Sequence, residues 1–253
     1  ERPQRGRLRE HVQWNVDLIG DPDPTAEAEV IATAVTALRR LGLGPTDVTF
    51  RVSHRGLVQS LLVSRCGVPE DRIEAALHLL DRREKVPAEV FATQAAEVGL
   101  DAEGLGVLER FAATAIPLAE LAAEGGGDQV PGLLPDDAET ATVLRADPGF
   151  ESLRELARRL EDAGCLDWCR LDLSIVRGLA YYTGIVFELH ETGGRERAVA
   201  GGGRYDGLIQ LFGGPSSPAV GFGMGDVVLG LLLSDRGLLP PGEQLLPRPD
   251  CFV

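Results

Sequence analysis

The chain changes character twice along its length, and this constrains its fold more than any other feature. From Gln13 to Gly20, Val16 and Leu18 alternate with Asn15 and Asp17, and Val48, Phe50 and Val52 repeat the pattern, the period of a half-buried strand. From about Arg55 to Gly164, Ala, Leu, Glu and Arg recur at helical spacing, broken by Gly67, Gly99 and the loop Gly125-Gly126-Gly127-Asp128-Gln129-Val130-Pro131-Gly132. Alternation then returns, with Cys169, Leu171, Leu173 and Ile175 set against Arg170, Asp172 and Ser174. Strand segments on both sides of a helical block give a mixed α/β (α+β) chain with a helical insertion. The boundaries read as a core in two parts, 1–60 and 166–238, an insertion at 61–165, and a linker leading into a further segment at 239–253.

Local signals fill in this outline. Asp23 is a candidate N-cap with Pro24 at the first helical position, and Ile31, Val35 and Leu38 follow at helical spacing until Gly42. Phe150, Leu153, Leu156 and Leu160 share the face of a helix that ends at Gly164. Gly184-Ile185-Val186-Phe187-Glu188-Leu189 reads as a buried strand, with Thr192-Gly193-Gly194 as a hairpin turn before Ala198-Val199-Ala200. Pro218 to Gly223 forms a last strand that runs into a helix from Asp226, and Cys251-Phe252-Val253 looks like the start of another strand.

Composition narrows the function. The formal charge of −14, from 25 basic and 39 acidic residues, argues against a nonspecific nucleic-acid binder held by counterion release. The longest apolar runs fall short of the ~20 residues a membrane span needs, and the polar first residues do not resemble a secretory signal. Four cysteines in 253 residues are too sparse for a disulfide framework, so a reducing cytoplasm is expected. Cys165 and Cys169 have no second pair at metal-binding spacing and read as buried thiols.

Four segments place polar or glycine residues where a core would be expected, a pattern that marks sites because an unpaired buried charge is costly. Glu1-Arg2-Pro3-Gln4-Arg5-Gly6-Arg7 supplies guanidinium forks suited to phosphates, followed by Gln13 and Asp17, suited to an ammonium group. Arg177-Gly178-Leu179-Ala180-Tyr181-Tyr182 joins an arginine to two tyrosines. Gly201-Gly202-Gly203-Arg204-Tyr205-Asp206-Gly207 lets a ligand approach the backbone. Gly221-Phe222-Gly223-Met224-Gly225 sets glycines at alternate positions of a strand, which leaves one face bare enough for a flat ring.

Taken in order, the four segments resemble the signatures of histidyl-tRNA synthetases: the motif 2 loop, two histidine-specific motifs and the start of motif 3. The resemblance implies a class II synthetase-like antiparallel sheet flanked by helices, with the helical insertion between motifs 2 and 3. It implies ATP-dependent activation of histidine to histidyl-adenylate and transfer to tRNA(His), in a homodimer, with Mg2+ accompanying ATP. On that basis Arg177 is the catalytic cation. Arg5, Arg7, His11, Gly223 and Gly225 bind ATP. Gln13, Asp17, Tyr181, Tyr182, Tyr205, Gly202 and Gly203 bind histidine, with Asp17 on its α-amino group. The piece would lack motif 1, and 239–253 would open an anticodon-binding domain.

The chain departs from the family pattern in several places. Ala180 stands where an Asp is usual, His11 where an aromatic would stack on adenine, and Val227 and Val228 where a Glu-Arg pair binds the γ-phosphate. Arg204 or Arg5 could replace that lost cation. The same departures would suit a noncatalytic, histidine-sensing paralogue such as the regulatory subunit of ATP phosphoribosyltransferase, although the arginine-rich first loop favours the synthetase reading.

Overall fold

The computed structural model describes residues 10–83, 86–113, 115–122, 137–178, 180–194 and 197–240. Arg5, Arg7, the Gly125 to Gly132 loop and the Cys251 to Val253 end lie outside these residues. One seven-stranded sheet runs in the order β1-β7-β6-β5-β2-β4-β3. Its strands are β1 Gln13–Ile19, β2 Val48–His54, β3 Ala115–Pro117, β4 Cys169–Asp172, β5 Ile185–Glu191, β6 Ala200–Arg204 and β7 Ala219–Gly225. All neighbours are antiparallel except β2 and β4. The two strand-rich segments therefore share one sheet.

Helix α1 (Thr25–Arg40) and a second helix, Pro148–Asp162, lie against one another and against the sheet. α1 buries Ile31, Val35 and Leu38, as its spacing predicts. Its start is one residue later than expected. Pro24 holds the N-cap position, and the Asp23 carboxylate reaches past it to accept a hydrogen bond from the Thr25 amide at 2.8 Å. Gly42 follows the helix at φ 86°, a conformation that favours glycine. The Pro148–Asp162 helix presents Phe150, Leu153, Leu156 and Leu160 to the core, with the Asp147 carboxylate capping it through the Gly149 amide.

The helical block is mostly helix, as its composition indicates. In chain order it contains α2 (Arg55–Ser64), α3 (Ile73–Asp81), α4 (Ala88–Glu97), α5 (Ala102–Ala112), α6 (Ala119–Ala122) and α7 (Ala138–Ala146), which makes the Pro148–Asp162 helix α8. It also contains β3, which the sequence does not announce. This short edge strand exists only through its pairing with β4. The strand expected to run from Cys169 to Ile175 stops at Asp172. There the Asp172 carboxylate accepts bonds from the Ser174 amide at 3.0 Å and hydroxyl at 2.5 Å, turning the chain out of the sheet. Two further helices, α9 (Leu208–Leu211) and α10 (Asp226–Asp235), complete the described residues.

Register gives the sheet two unlike faces. Val16, Phe222, Gly202, Phe187 and Val52 lie directly opposite one another across β1, β7, β6, β5 and β2, and the three larger of these on β7, β5 and β2 are buried. Residues one position along point the other way. Asn15, Gly223, Gly201, Glu188 and Arg51 form one such row, and Asp17, Gly221, Gly203, Val186 and Ser53 the next. That second face carries glycine in the middle and polar side chains on both sides.

Candidate active site

The glycines of the open face make room for side chains from their flanks. A Cβ at Gly221 would meet the Asp17 Oδ1 at 2.2 Å, and one at Gly223 would meet the Gln13 Nε2 at 2.5 Å and the Asn15 Oδ1 at 3.0 Å. The polar side chains of edge strand β1 therefore fold inward over β7. This corrects the picture of a strand bare along its length, because Gln13, Asn15 and Asp17 cover two of its three glycines. Above Gly225 no described atom lies within 4 Å of where a Cβ would be. The Gln13 amide donates to Asn15 Oδ1 at 2.6 Å. β1 is locked to the start of α10 by paired bonds between Val12 and Asp226, at 3.1 and 3.0 Å.

On the far side of the floor lies Arg177. Its backbone sits at φ 53°, a left-handed conformation that costs a non-glycine residue about 1–3 kcal/mol and persists only where surroundings enforce it. Buried Arg55 is one such constraint. Its Nη1 donates to the Val176 and Arg177 carbonyls at 3.4 and 3.3 Å, while its Nη2 pairs with Glu74 at 2.7 Å. The Arg177 guanidinium lies over Gly201, where a Cβ would come within 2.6 Å of Nη1, and 6.0 Å from the Tyr182 ring centre. Its Nη1 donates to Glu188 Oε1 at 2.5 Å, and Glu188 Oε2 pairs with His190 Nε2 at 2.8 Å. Burial alone would raise the Glu188 carboxyl pKa, but the His190 hydrogen bond and the Arg177 charge outweigh it and hold the value at about 2. Arg177 Nε is buried without a hydrogen-bond partner among the described residues.

Three tyrosines close the arc between Asp17 and Arg177. Tyr205 donates its hydroxyl hydrogen bond to Asp17 Oδ1, Tyr181 meets Tyr205 edge-on with centres 6.1 Å apart, and Tyr181 and Tyr182 lie 4.7 Å apart. Burial raises the Tyr182 phenol to about 12 and, with the Asp17 bond, the Tyr205 phenol as well. Both therefore remain neutral hydroxyls at neutral pH. The arrangement sets a carboxylate with amides at one end, hydroxyls along the wall and a cation at the other end, features suited to an ammonium, a polar ring and an anionic group respectively.

Gln13, Asp17, Tyr181, Tyr182, Tyr205, Gly203, Gly223 and Arg177 thus come together around one floor. Gly202 does not share it. Gly202 faces the packed side, where a Cβ would meet the Gly221 carbonyl oxygen at 2.2 Å, whereas Gly201, part of the same glycine run but not among the residues assigned to histidine, supports Arg177. His11 is exposed just before β1. Val228 is buried and Val227 half-buried in the first turn of α10. Arg204 cannot take over a phosphate. It is held on the packed side by both Glu27 oxygens at 2.6 Å, by Asp206 and by the Asp21 and Asp23 carbonyls. Asn15, Arg55, Glu188 and His190 are the additions the structure makes, and a carboxylate in the middle of an apolar strand was the one signal available for Glu188.

The chain is similar to known proteins. The histidyl-tRNA synthetase family model matches residues 1–225. The chain is similar to the chloroplastic/mitochondrial histidine–tRNA ligase of Arabidopsis thaliana, with 39% identity over all of this chain and 48% of that protein. It spans about half the length of the curated relatives it matches. Among solved structures, the histidyl-tRNA synthetase of Nostoc sp. PCC 7120 shares the fold, with TM-score 0.71 at 22% identity over 92% of this chain and 52% of that one. A Bacillus halodurans protein described as an ATP phosphoribosyltransferase regulatory subunit/histidyl-tRNA synthetase is similar at 25% identity and TM-score 0.63, over 91% and 53%. The family match runs from the first residue to the end of the glycine strand, leaving only α10 and the tail beyond it, and the chain belongs to the histidyl-tRNA synthetase family.

Proposed function

We propose that this chain carries the adenylate-forming site of a histidine–tRNA ligase, which joins histidine to ATP and passes the product to tRNA(His). The observation that carries the reading is Arg177, set in a left-handed turn and laid flat across Gly201, opposite Asp17 and the β1 amides. In this reading Asp17, with Gln13, takes the α-ammonium group of histidine, and Tyr181, Tyr182 and Tyr205 line the space for the imidazole. Arg177 faces the histidine carboxylate and the α-phosphate. A carboxylate oxygen attacks the α-phosphorus as the bond to the β-phosphate oxygen breaks, and Arg177 neutralises the charge that develops while pyrophosphate leaves.

Arg5, Arg7 and His11 are assigned to ATP together with Gly223 and the open space over Gly225, and Gly203 to the backbone around histidine. Among the described residues no cluster of three or more His, Cys, Asp or Glu is placed to hold a metal. The Mg2+ of the reaction is assigned to the triphosphate, since that ion is commonly bound through substrate phosphates. We assign 1–60 and 166–238 to the catalytic core, 61–165 to an insertion that approaches the tRNA acceptor stem, and 239–253 to the start of an anticodon-binding region. A homodimer working in the cytoplasm completes the proposal. No described helix is long and apolar enough to cross a membrane.

A second reading is favoured by Val227 and Val228, which offer a phosphate no charge at the start of α10. It is a histidine-binding relative without ATP chemistry, in line with the double description of the Bacillus halodurans protein. Histidine-dependent ATP–pyrophosphate exchange on the full-length protein separates the two. Exchange supports the ligase, and histidine binding without exchange supports the regulatory relative.

A further inference from the structure

We infer that Glu188 and His190 are positioning residues that fix the reactive orientation of Arg177, an inference that rests on the adenylate-forming reading above. Glu188 stands at the centre of β5 between Phe187 and Leu189, both of which are fully buried on the packed face. Its own side chain emerges on the open face, and each oxygen has one partner: Oε1 accepts from Arg177 Nη1 at 2.5 Å, and Oε2 is 2.8 Å from His190 Nε2. An ionised carboxylate only accepts, so His190 presents its Nε2 proton to Glu188. His190 follows two residues later on the same strand and the same face. The pair is therefore rigid at its base, because both members project from adjacent open-face positions of an interior strand.

Electrostatics alone would disfavour this carboxylate. A negative charge 2.5 Å from the cation weakens the field that Arg177 offers to an anionic substrate. What Glu188 contributes is geometry. A free arginine side chain has about 2 kcal/mol of rotamer entropy to lose when it is placed. Here Gly201 forms the floor beneath the guanidinium, Tyr182 stands beside it and Glu188 holds Nη1. The Nε is buried with no hydrogen-bond partner among the described residues, while 23% of the side chain stays exposed and is the part that can face an anionic substrate. The grip that holds the guanidinium in place therefore supplies, before substrate arrives, ordering that would otherwise be needed on binding. His190 in turn prevents the Glu188 carboxylate from rotating away.

This assignment has a kinetic signature that a purely structural role lacks. Removing the Glu188 charge lowers turnover through misplacement, while substrate binding holds or tightens because a negative charge has left the site. The test is ATP–pyrophosphate exchange by the full-length protein and its Glu188→Gln, His190→Leu, His190→Gln, Arg177→Lys and Glu188→Gln/Arg177→Lys variants, each with a thermal unfolding curve. Glu188→Gln should lower kcat about 10- to 100-fold, the scale of an ångström-sized misplacement, with KM for histidine and ATP no higher than wild type. His190→Leu should lower kcat, and His190→Gln, which restores a donor at the Nε2 position, should recover it. Added to Arg177→Lys, Glu188→Gln should cost less than about threefold more, since coupled residues are non-additive. Wild-type kcat in Glu188→Gln, losses that multiply in the double variant, or a kcat loss that merely follows a lowered melting temperature would overturn the positioning role and leave the ligase reading standing. Absence of exchange in the wild type would overturn both.

Discussion

Gly201→Ala and Gly202→Ala differ by one position in the chain, yet they should fail in opposite ways. At Gly201 the added Cβ would lie 2.6 Å from Arg177 Nη1, 2.8 Å from Cζ and 2.9 Å from Nη2. Ordinary carbon contacts are about 3.5–4.0 Å, so the guanidinium must lift by about 1 Å. The obstruction is the end of a long side chain, so the sheet itself need not move. Gly201 has no positive φ, and an alanine in a compatible strand conformation stabilises by about 0.4–1 kcal/mol through the unfolded chain. Exchange activity should nonetheless fall about a hundredfold, the effect of an ångström's misplacement, equivalent to about 2.7 kcal/mol of barrier. At Gly202 the added Cβ would meet the Gly221 carbonyl oxygen at 2.2 Å and the Phe222 Cα at 2.8 Å, which is backbone of the neighbouring strand. Overpacking of this kind costs about 1–3 kcal/mol or more, so the melting temperature should drop. Exchange kinetics and calorimetric unfolding on both variants decide the matter. Wild-type activity in Gly201→Ala, or a melting temperature that falls as far as that of Gly202→Ala, would refute the two-faced sheet and the placement of Arg177 on its open side.

Three other outcomes follow from the same geometry. Tyr205→Phe removes the hydroxyl that bonds to Asp17, a charge-assisted bond worth about 1.5–3 kcal/mol. Histidine binding measured by calorimetry should weaken about tenfold or more, and unchanged affinity would remove Tyr205 from the histidine site. Glu27→Ala leaves the buried Arg204 guanidinium without its bidentate partner and should lower unfolding free energy by about 3–5 kcal/mol, checked by denaturant titration. Glu188, with its carboxyl pKa held at about 2, has a folded value below its unfolded one. Its contribution, about 3 kcal/mol at most, is therefore present above the ordinary glutamate range and is lost as pH falls from about 5 towards 2. The stability difference between wild type and Glu188→Gln should shrink over that window, and a constant difference would contradict the ion pair.

Much of the architecture was legible because period-2 alternation and helical spacing are local properties. Val48, Phe50 and Val52 form β2, and the four apolar residues of α8 face the core. Two departures came from side chains acting on the backbone: Asp23 capping from one residue earlier, and Asp172 ending β4. β3 was invisible because three residues with a proline have no period, and only tertiary pairing makes them a strand. The glycine motifs pointed to an open floor, yet their sequence could not say which glycine faces which side. That depends on register, where a shift of one residue exchanges the faces, and so Gly202 and Gly201 trade places relative to the reading. The strand order that brings Asp17 and Arg177 to opposite sides of one floor is set by long-range pairing and is written in no single segment.

The most direct measurement is single-turnover formation of histidyl-adenylate by the full-length protein and its Arg177→Ala variant, with histidine affinity measured separately. The account predicts that the variant forms the adenylate at least about a hundredfold more slowly, the typical loss when one preorganised charge-stabilising donor is removed, while it still binds histidine through Asp17, Gln13 and the tyrosines. Equal rates in the two proteins, or a wild-type protein that binds histidine and forms no adenylate, would contradict it.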